Sequence, residues 1–354
     1  MKLLFITSTL SSGGTERVIS LLANELATRQ HYVEIICLNR HDVFYPINED
    51  VNVVFAEEET GTSSIGKKMI WLRKYVKENK PDAVLPFMTD VYSVTLVSLV
   101  GLSVPVISSE RYDPRASDWL YKTIRWLFLR LTTHLVVQTN DIKSYYSKTL
   151  QKRTTVIGNP VDEKVFQALH EPIQKQKRII SVGRLAPQKN YPMLIAAFHA
   201  IKKDFPDYKL VIYGEGPLRG SLQSMIDKLE LTDKILLKGR TDSVIGELRR
   251  SRLFCMSTNA EGMSNALIEA ICVGLPVLTT NVSGAEELVE NGKTGFVTPV
   301  GDLDSFVRAL KSLLSNDQLM QEMGERNKRK GNMFKLDIIV NQWEQVIKRV
   351  VYEK

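Results

Sequence analysis

Short apolar runs alternate with segments of helical periodicity along most of the chain, and the alternation is played out twice. In the first half, residues 2–7, 33–38, 83–87, 104–108 and 134–138 read as buried strands, and residues 15–29 as a helix. The series closes in a turn-rich stretch, Thr155-Val-Ile-Gly-Asn-Pro-Val-Asp162, and a polar segment, 167–178, reads as a linker. The pattern then restarts, with strands over 179–183, 209–213, 235–237, 253–257 and 276–280 and a helix over 191–203. An amphipathic helix over 335–352 lies beyond the last of these strands. Strands alternating with helices predict parallel α/β architecture. Two such domains with a cleft between them follow, and a ligand is expected at the carboxyl ends of the strands.

A length of 354 residues accommodates two domains of ordinary size. Apolar content of 44% without a run of about 18 apolar residues argues against a transmembrane span. The N-terminal Met1-Lys-Leu-Leu-Phe-Ile has the charge and apolar run of a short signal peptide. It breaks into Ser11-Ser-Gly-Gly without a cleavage pattern, so a first buried strand is the better reading. Cys37, Cys255 and Cys272 each sit in an apolar run without metal-ligand spacing, which predicts core thiols in a reducing, cytoplasmic compartment. The five histidines are scattered, and no metal site is expected.

The net charge of +7 is unevenly spread. Residues 111–153 carry nine Lys/Arg against three acidic residues, interleaved with Trp119, Trp126, Leu127, Phe128 and Tyr145. Two readings of Lys122-Thr-Ile-Arg-Trp-Leu-Phe-Leu-Arg130 stand. One is a basic amphipathic helix on an anionic membrane, which would make the protein peripheral to the inner face of the cell membrane. The other is a helix packed on its own domain with its basic residues outward. No nucleic-acid-binding motif is present, and nucleic acid is not an expected partner.

The chemistry concentrates in the second half. Asn259-Ala-Glu-Gly-Met-Ser-Asn-Ala-Leu-Ile-Glu269 puts Glu261 in a loop and Glu269 inside the helix that follows, with Gly274 and Pro276 ending it. A loop feeding a helix N-terminus favours an anion such as a diphosphate. An ionised carboxylate only accepts hydrogen bonds and suits sugar hydroxyls. The alternative is that both acids merely satisfy the helix dipole or face solvent; against it, the helix around Glu269 is apolar on most sides. Arg184 and Lys189, in Ser181-Val-Gly-Arg-Leu-Ala-Pro-Gln-Lys-Asn190, lie just past a strand, where fixed cations would neutralise a diphosphate without a metal. Tyr213-Gly-Glu-Gly-Pro-Leu-Arg219, Lys238-Gly-Arg240 and Ser283-Gly-Ala-Glu-Glu-Leu-Val289 are further turns at the same sheet end; the backbone around Gly239 is expected to read a base edge. Neither a G-x-x-x-x-G-K-[ST] loop nor a G-x-G-x-x-G fingerprint occurs, which disfavours an ordinary ATPase and a nicotinamide enzyme.

These motifs, in order, resemble those of the retaining glycosyltransferases of family 4 (glycosyltransferase group 1). The resemblance runs through Gly13-Gly14-Thr-Glu-Arg17, Gly158-Asn-Pro-Val-Asp162, Gly183-Arg-Leu-Ala-Pro-Gln-Lys-Asn190, Gly214-Glu-Gly-Pro217, the Glu261/Glu269 pair, Gly284-Ala-Glu-Glu-Leu288 and Gly292-Lys-Thr-Gly295. It implies the GT-B fold: two Rossmann-like α/β domains facing across a cleft, 1–166 on the acceptor side and 167–334 for the nucleotide sugar, with the last helix, 335–354, crossing back to the first. It also implies residue roles. Arg184 and Lys189, with Gly183 beside them, would grip the donor diphosphate, and Glu261 would face the donor sugar. Glu269 would hold the ribose, and Gly262, Met263, Ser264 and Asn265 would offer backbone N–H groups. Gly214, Gly239 and Arg240 fall in the nucleotide-binding turns, and Gly14 would let the N-terminal loop approach the diphosphate.

One departure stands out. Relatives commonly carry a histidine after a first-domain strand, where this chain has Ser109-Glu-Arg-Tyr-Asp-Pro114. That form resembles a subgroup acting in bacterial surface-polysaccharide and lipid-linked glycan assembly. Glu110 and Arg111 are assigned an acceptor-side or catalytic-support role, or else form an internal charge network with each other. The expected reaction is transfer of a hexosyl unit from a nucleoside-diphosphate sugar, a UDP-sugar above all, to a glycan or polyprenyl-diphosphate-linked acceptor. Retention is implied, and domain closure would exclude water. The other readings are a nucleotide-sugar epimerase or phosphorylase on the same fold, and a catalytically inactive membrane-associated subunit.

Overall fold

The computed structural model describes residues 1–353 and resolves into two compact units, Met1–Pro160 together with the segment from Leu336, and Val161–Lys335. The first unit contains β1 (Lys2–Thr7), β2 (Tyr32–Cys37), β3 (Val51–Phe55), β4 (Ala83–Pro86), β5 (Ile107–Ser109), β6 (His134–Val137) and β7 (Thr154–Val156). All pair in parallel, in the orders β3-β2-β1-β4 and β5-β6-β7, and the bridges Val84–Val106 and Phe87–Ser109 join the two sets. The winding therefore reverses between β1 and β4, a topological switch point.

β3 and β7 have no counterpart in the sequence reading. Both lie at sheet edges and are only partly buried, so neither shows the apolar run of a central strand. β5 starts later than expected because Pro105 has no N–H to give to the ladder. One face of the sheet is covered by the helices Gly14–Thr28 and Leu336–Tyr352, whose apolar stripes meet Phe5, Leu85 and Phe87. Trp343 is fully buried and stacks on Phe87 at 5.6 Å. The C-terminal helix is also tied by charge: Glu344 accepts from His31 at 3.1 Å, from Arg29 at 3.3 Å and from Lys348 at 2.9 Å.

The second unit repeats the plan with β8 (Arg178–Val182), β9 (Lys209–Tyr213), β10 (Ile235–Gly239), β11 (Leu253–Met256), β12 (Val277–Thr280) and β13 (Gly295–Thr298). Their order is β10-β9-β8-β11-β12-β13, all parallel, and the winding reverses between β8 and β11. The helices Tyr191–Ile201 and Leu303–Leu314 pack on one face, and Asn265–Cys272 on the other. The division between units falls at Pro160/Val161, ahead of the polar segment 167–178, which lies inside the second unit after the helix Glu163–Ala168. Val161 N–H donates to the Phe334 carbonyl at 2.8 Å, so the two chain ends of this unit run side by side. All three cysteines are buried free thiols, and burial pushes Cys37 up to about 12.

Candidate active site

At the switch point of the second sheet, the loop after β8 and the loop after β11 are laced together. The Ser257 hydroxyl donates to the Lys189 and Asn190 carbonyls at 3.1 and 2.9 Å, and the Thr258 hydroxyl to that of Gln188 at 2.7 Å. Asn259 N–H donates to the same Gln188 carbonyl, and the Asn190 amide to the Asn259 side chain at 3.0 Å. This lacing brings Lys189 Nζ within 2.5 Å of Glu261 Oε2, with both side chains partly open to solvent. Arg184 beside them is exposed and makes no ion pair with a described residue. Gly183 makes room: a Cβ there would lie 3.1 Å from the Tyr191 hydroxyl and 3.3 Å from Lys189 Cε.

Around this pair the strand-end turns converge as parallel topology requires. Gly214 approaches so closely that a Cβ would sit 1.9 Å from the Gly183 carbonyl, and its φ is +142°. Gly239 is buried and its carbonyl accepts from Gly214 N–H at 2.7 Å. That carbonyl thus ties the two turns together, and Lys238 and Arg240 on either side of Gly239 are exposed. Gly262, Met263 and Ser264 lead into the helix Asn265–Cys272, where the Ser264 hydroxyl caps the Leu267 N–H at 3.4 Å. Glu269 is buried on that helix, and its charge adds to burial in raising the Cys272 thiol.

In the first unit the expected pairing of Glu110 with Arg111 is not found. Glu110 is fully buried and pairs with Arg125 Nε at 2.7 Å. It also accepts from Thr89 at 3.1 Å, from Tyr92 at 3.0 Å and from Tyr146 at 3.4 Å. Burial and the Glu110 charge push both phenols well above their ordinary range. The Glu110 carboxylate is thus satisfied inside the unit by Arg125 and three hydroxyls. Arg111 turns elsewhere: it lies over the Phe87 ring at 5.7 Å, donates to Asn159, and has Nε and Nη1 buried without partners. Burial pushes it below its ordinary value. Gln138 also donates to Asn159, at 2.7 Å, which gathers residues from the ends of β5, β6 and β7. Gly14 opens the helix that follows β1 and is exposed. Met88, after β4, has a φ of +78°, strained for a side chain of its size.

The family model described as glycosyl transferases group 1 matches residues 162–330, and that of glycosyltransferase family 4 matches residues 12–165. The chain belongs to glycosyltransferase family 4. It is 27% identical over 363 residues to a Campylobacter jejuni enzyme, GalNAc-alpha-(1->4)-GalNAc-alpha-(1->3)-diNAcBac-PP-undecaprenol alpha-1,4-N-acetyl-D-galactosaminyltransferase, covering 99% of each chain. It is 28% identical over 345 residues to the Escherichia coli UDP-Gal:alpha-D-GlcNAc-diphosphoundecaprenol alpha-1,3-galactosyltransferase, covering 89% of this chain and 88% of that one. Among solved structures, sucrose-phosphate synthase from Thermosynechococcus elongatus superposes with a TM-score of 0.85 at 15% identity over 99% of both chains. Anabaena HepE in complex with UDP and glucose superposes with a TM-score of 0.82 at 18% identity, over 98% of this chain and 99% of that one. The fold is GT-B, and the protein is a glycosyltransferase.

The basic segment of this family 4 enzyme contains the helix Trp119–Phe128, and its faces differ from the reading that turned its basic residues outward. Arg125 points inward to Glu110, whereas Trp119 is 75% exposed and Trp126 62%, with Leu120, Leu127 and Leu131 exposed beside them. Arg130 lies over the Trp126 ring at 3.7 Å. No helix among the described residues is long and apolar enough to cross a membrane, and no three His, Cys, Asp or Glu residues gather as metal ligands. Sequence reasoning missed Ser257, Thr258 and Asn190, which set the distance between Lys189 and Glu261. Their only local signal is a Ser-Thr pair at the end of a strand.

Proposed function

We propose that this glycosyltransferase moves a hexosyl unit from a UDP-sugar to a glycan carried on a polyprenyl diphosphate, with retention at the anomeric carbon and without a metal ion. The observation that carries the reading is the Lys189–Glu261 pair beside the unpaired Arg184, at the switch point where an α/β sheet receives its ligand. The names of the C. jejuni and E. coli relatives, both acting on undecaprenyl-diphosphate-linked glycans, support the acceptor class. UDP-Gal in the second name supports the donor.

In this reading Arg184 and Lys189 neutralise the diphosphate as it leaves, aided by the N-terminus of the helix Asn265–Cys272 and the N–H groups from Gly262 to Asn265. Glu261 accepts from the sugar hydroxyls and Glu269 from the ribose. Gly14 lets backbone approach the diphosphate, and the turns at Gly214 and Gly239–Arg240 shape the nucleotide end. Arg111, with two unpartnered nitrogens, serves the acceptor side. In keeping with retention, the acceptor oxygen attacks the anomeric carbon on the face the diphosphate leaves, and its proton passes to the departing phosphate oxygen. The exposed Trp119, Leu120, Trp126 and Leu127, together with the exposed basic residues of 111–153, hold the enzyme on the anionic inner face of the cell membrane.

Purified enzyme is to be incubated with a panel of nucleotide sugars and undecaprenyl-diphosphate-linked acceptors, with products read by mass spectrometry and the new linkage by NMR. Retained configuration with a UDP-sugar is expected. An inverted linkage, or epimerised donor in the absence of acceptor, would overturn the reading.

A further inference from the structure

A cavity of about 450 Å³ opens beside the helix Trp119–Phe128, between it and the segment from Tyr145 to Arg153. Lys122, Arg125, Arg130 and Arg153 line it, and no carboxylate does. Arg125 is compensated by Glu110, and Arg153 donates to the Thr132, Leu129 and Arg130 carbonyls. Lys122 and Arg130 make no ion pair with a described residue, so the wall carries uncompensated positive charge. Arg125 supplies a second, independent sign. Its Nε bonds Glu110 and its Nη2 bonds Thr89 and Ser117, but Nη1 has no partner although the residue is only 2% exposed. A buried guanidinium N–H without an acceptor is costly unless something supplies one. The remaining wall combines apolar Trp126, Leu129 and Leu150 with Tyr145, Tyr146, Ser147 and Thr149, and the helix that forms one side carries the exposed Trp119, Leu120 and Leu127.

Cationic lining, an unmet buried donor and an apolar rim fit an anion attached to hydrocarbon. We infer that this cavity receives the phosphate head of an anionic bilayer phospholipid, whose acyl chains run along the exposed apolar edge of the helix. The inference rests on the membrane-docking part of the proposed function and gives it a discrete site in place of diffuse attraction.

The test uses the full chain with short-chain dihexanoyl-phosphatidylglycerol below its micelle concentration, and with phosphatidylcholine vesicles with and without phosphatidylglycerol. Saturable one-to-one binding of the short-chain lipid is expected. Thr149→Glu, which places a carboxylate on the exposed part of the wall, should weaken it about tenfold or more. The double change Lys67→Gln with Lys77→Gln, at exposed positions outside both the wall and the basic segment, should leave it within about twofold. Equal effects of the two variants, or binding that never saturates, would overturn the inference. So would inorganic phosphate binding as tightly as the lipid, or farnesyl diphosphate binding about tenfold tighter, which would assign the cavity to free phosphate or to the acceptor lipid. Failure of vesicle binding with short-chain binding intact would remove the membrane reading and leave the site. Vesicle binding indifferent to Thr149→Glu would do the reverse.

Discussion

Two ion pairs in this enzyme have the same chemistry and opposite consequences. Glu110–Arg125 is sealed, with side chains 0% and 2% exposed, whereas Lys189–Glu261 stands partly open at 15% and 21%. Removing one member of a sealed pair strands the other charge, so Glu110→Gln should lower stability by about 3–5 kcal/mol, seen as a lower urea midpoint. Lys189→Ala should change stability by no more than about 1 kcal/mol. It should still lower kcat at least about a hundredfold, because a cation on a departing diphosphate acts mainly in the transition state. Unchanged kcat in that variant would remove Lys189 from the site. The sequence made Lys189 and Glu261 legible through motifs bordering strand ends. It did not reveal the partner of Glu110, because a carboxylate beside Arg111 suggests a local pair, while the actual partner lies 15 residues away on a helix that turns Arg125 inward.

At the scale of elements, the two helices at the margins of the first unit are informative. Periodicity marked Lys122–Arg130 as amphipathic but could not say which side met the protein; the buried Glu110 decided it by drawing in Arg125. Trp126 is mostly exposed, so Trp126→Ser should reduce sedimentation with phosphatidylglycerol vesicles while leaving thermal stability within about 0.5 kcal/mol of the parent. The C-terminal helix is anchored by Trp343 in the core and by Glu344 at its edge. Lys348 above all, with His31 and Arg29, holds the Glu344 carboxyl down to about 2 against opposing desolvation. A depressed carboxylate stabilises the folded state above its unfolded pKa and loses that contribution as pH falls towards the folded value. The stability advantage of the parent over Glu344→Gln should therefore be complete above about pH 4.5 and vanish towards about pH 2. A gap that stays constant across that window, measured by denaturant titration, would refute the linkage.

At the scale of the molecule, each unit carries the same parallel winding with one reversal, between β1 and β4 and between β8 and β11. In the proposed site the diphosphate charge would be met by Arg184, Lys189 and a helix N-terminus, so EDTA should leave turnover unchanged; loss restored by Mg²⁺ would show that an ion shares the task. The sequence by itself determined the α/β class, the doubled alternation, and the placing of Arg184, Lys189 and Glu261 near strand ends with Glu269 on the helix that follows. These depend on periodicity and turn chemistry, which act over a few residues. Only the tertiary structure decided that Lys189 meets Glu261 across 72 residues, that Glu110 is locked away on Arg125, and that Trp126 stays in solvent. Those outcomes depend on which faces are buried and which strands adjoin at a switch point, and such neighbours are set by packing between distant segments.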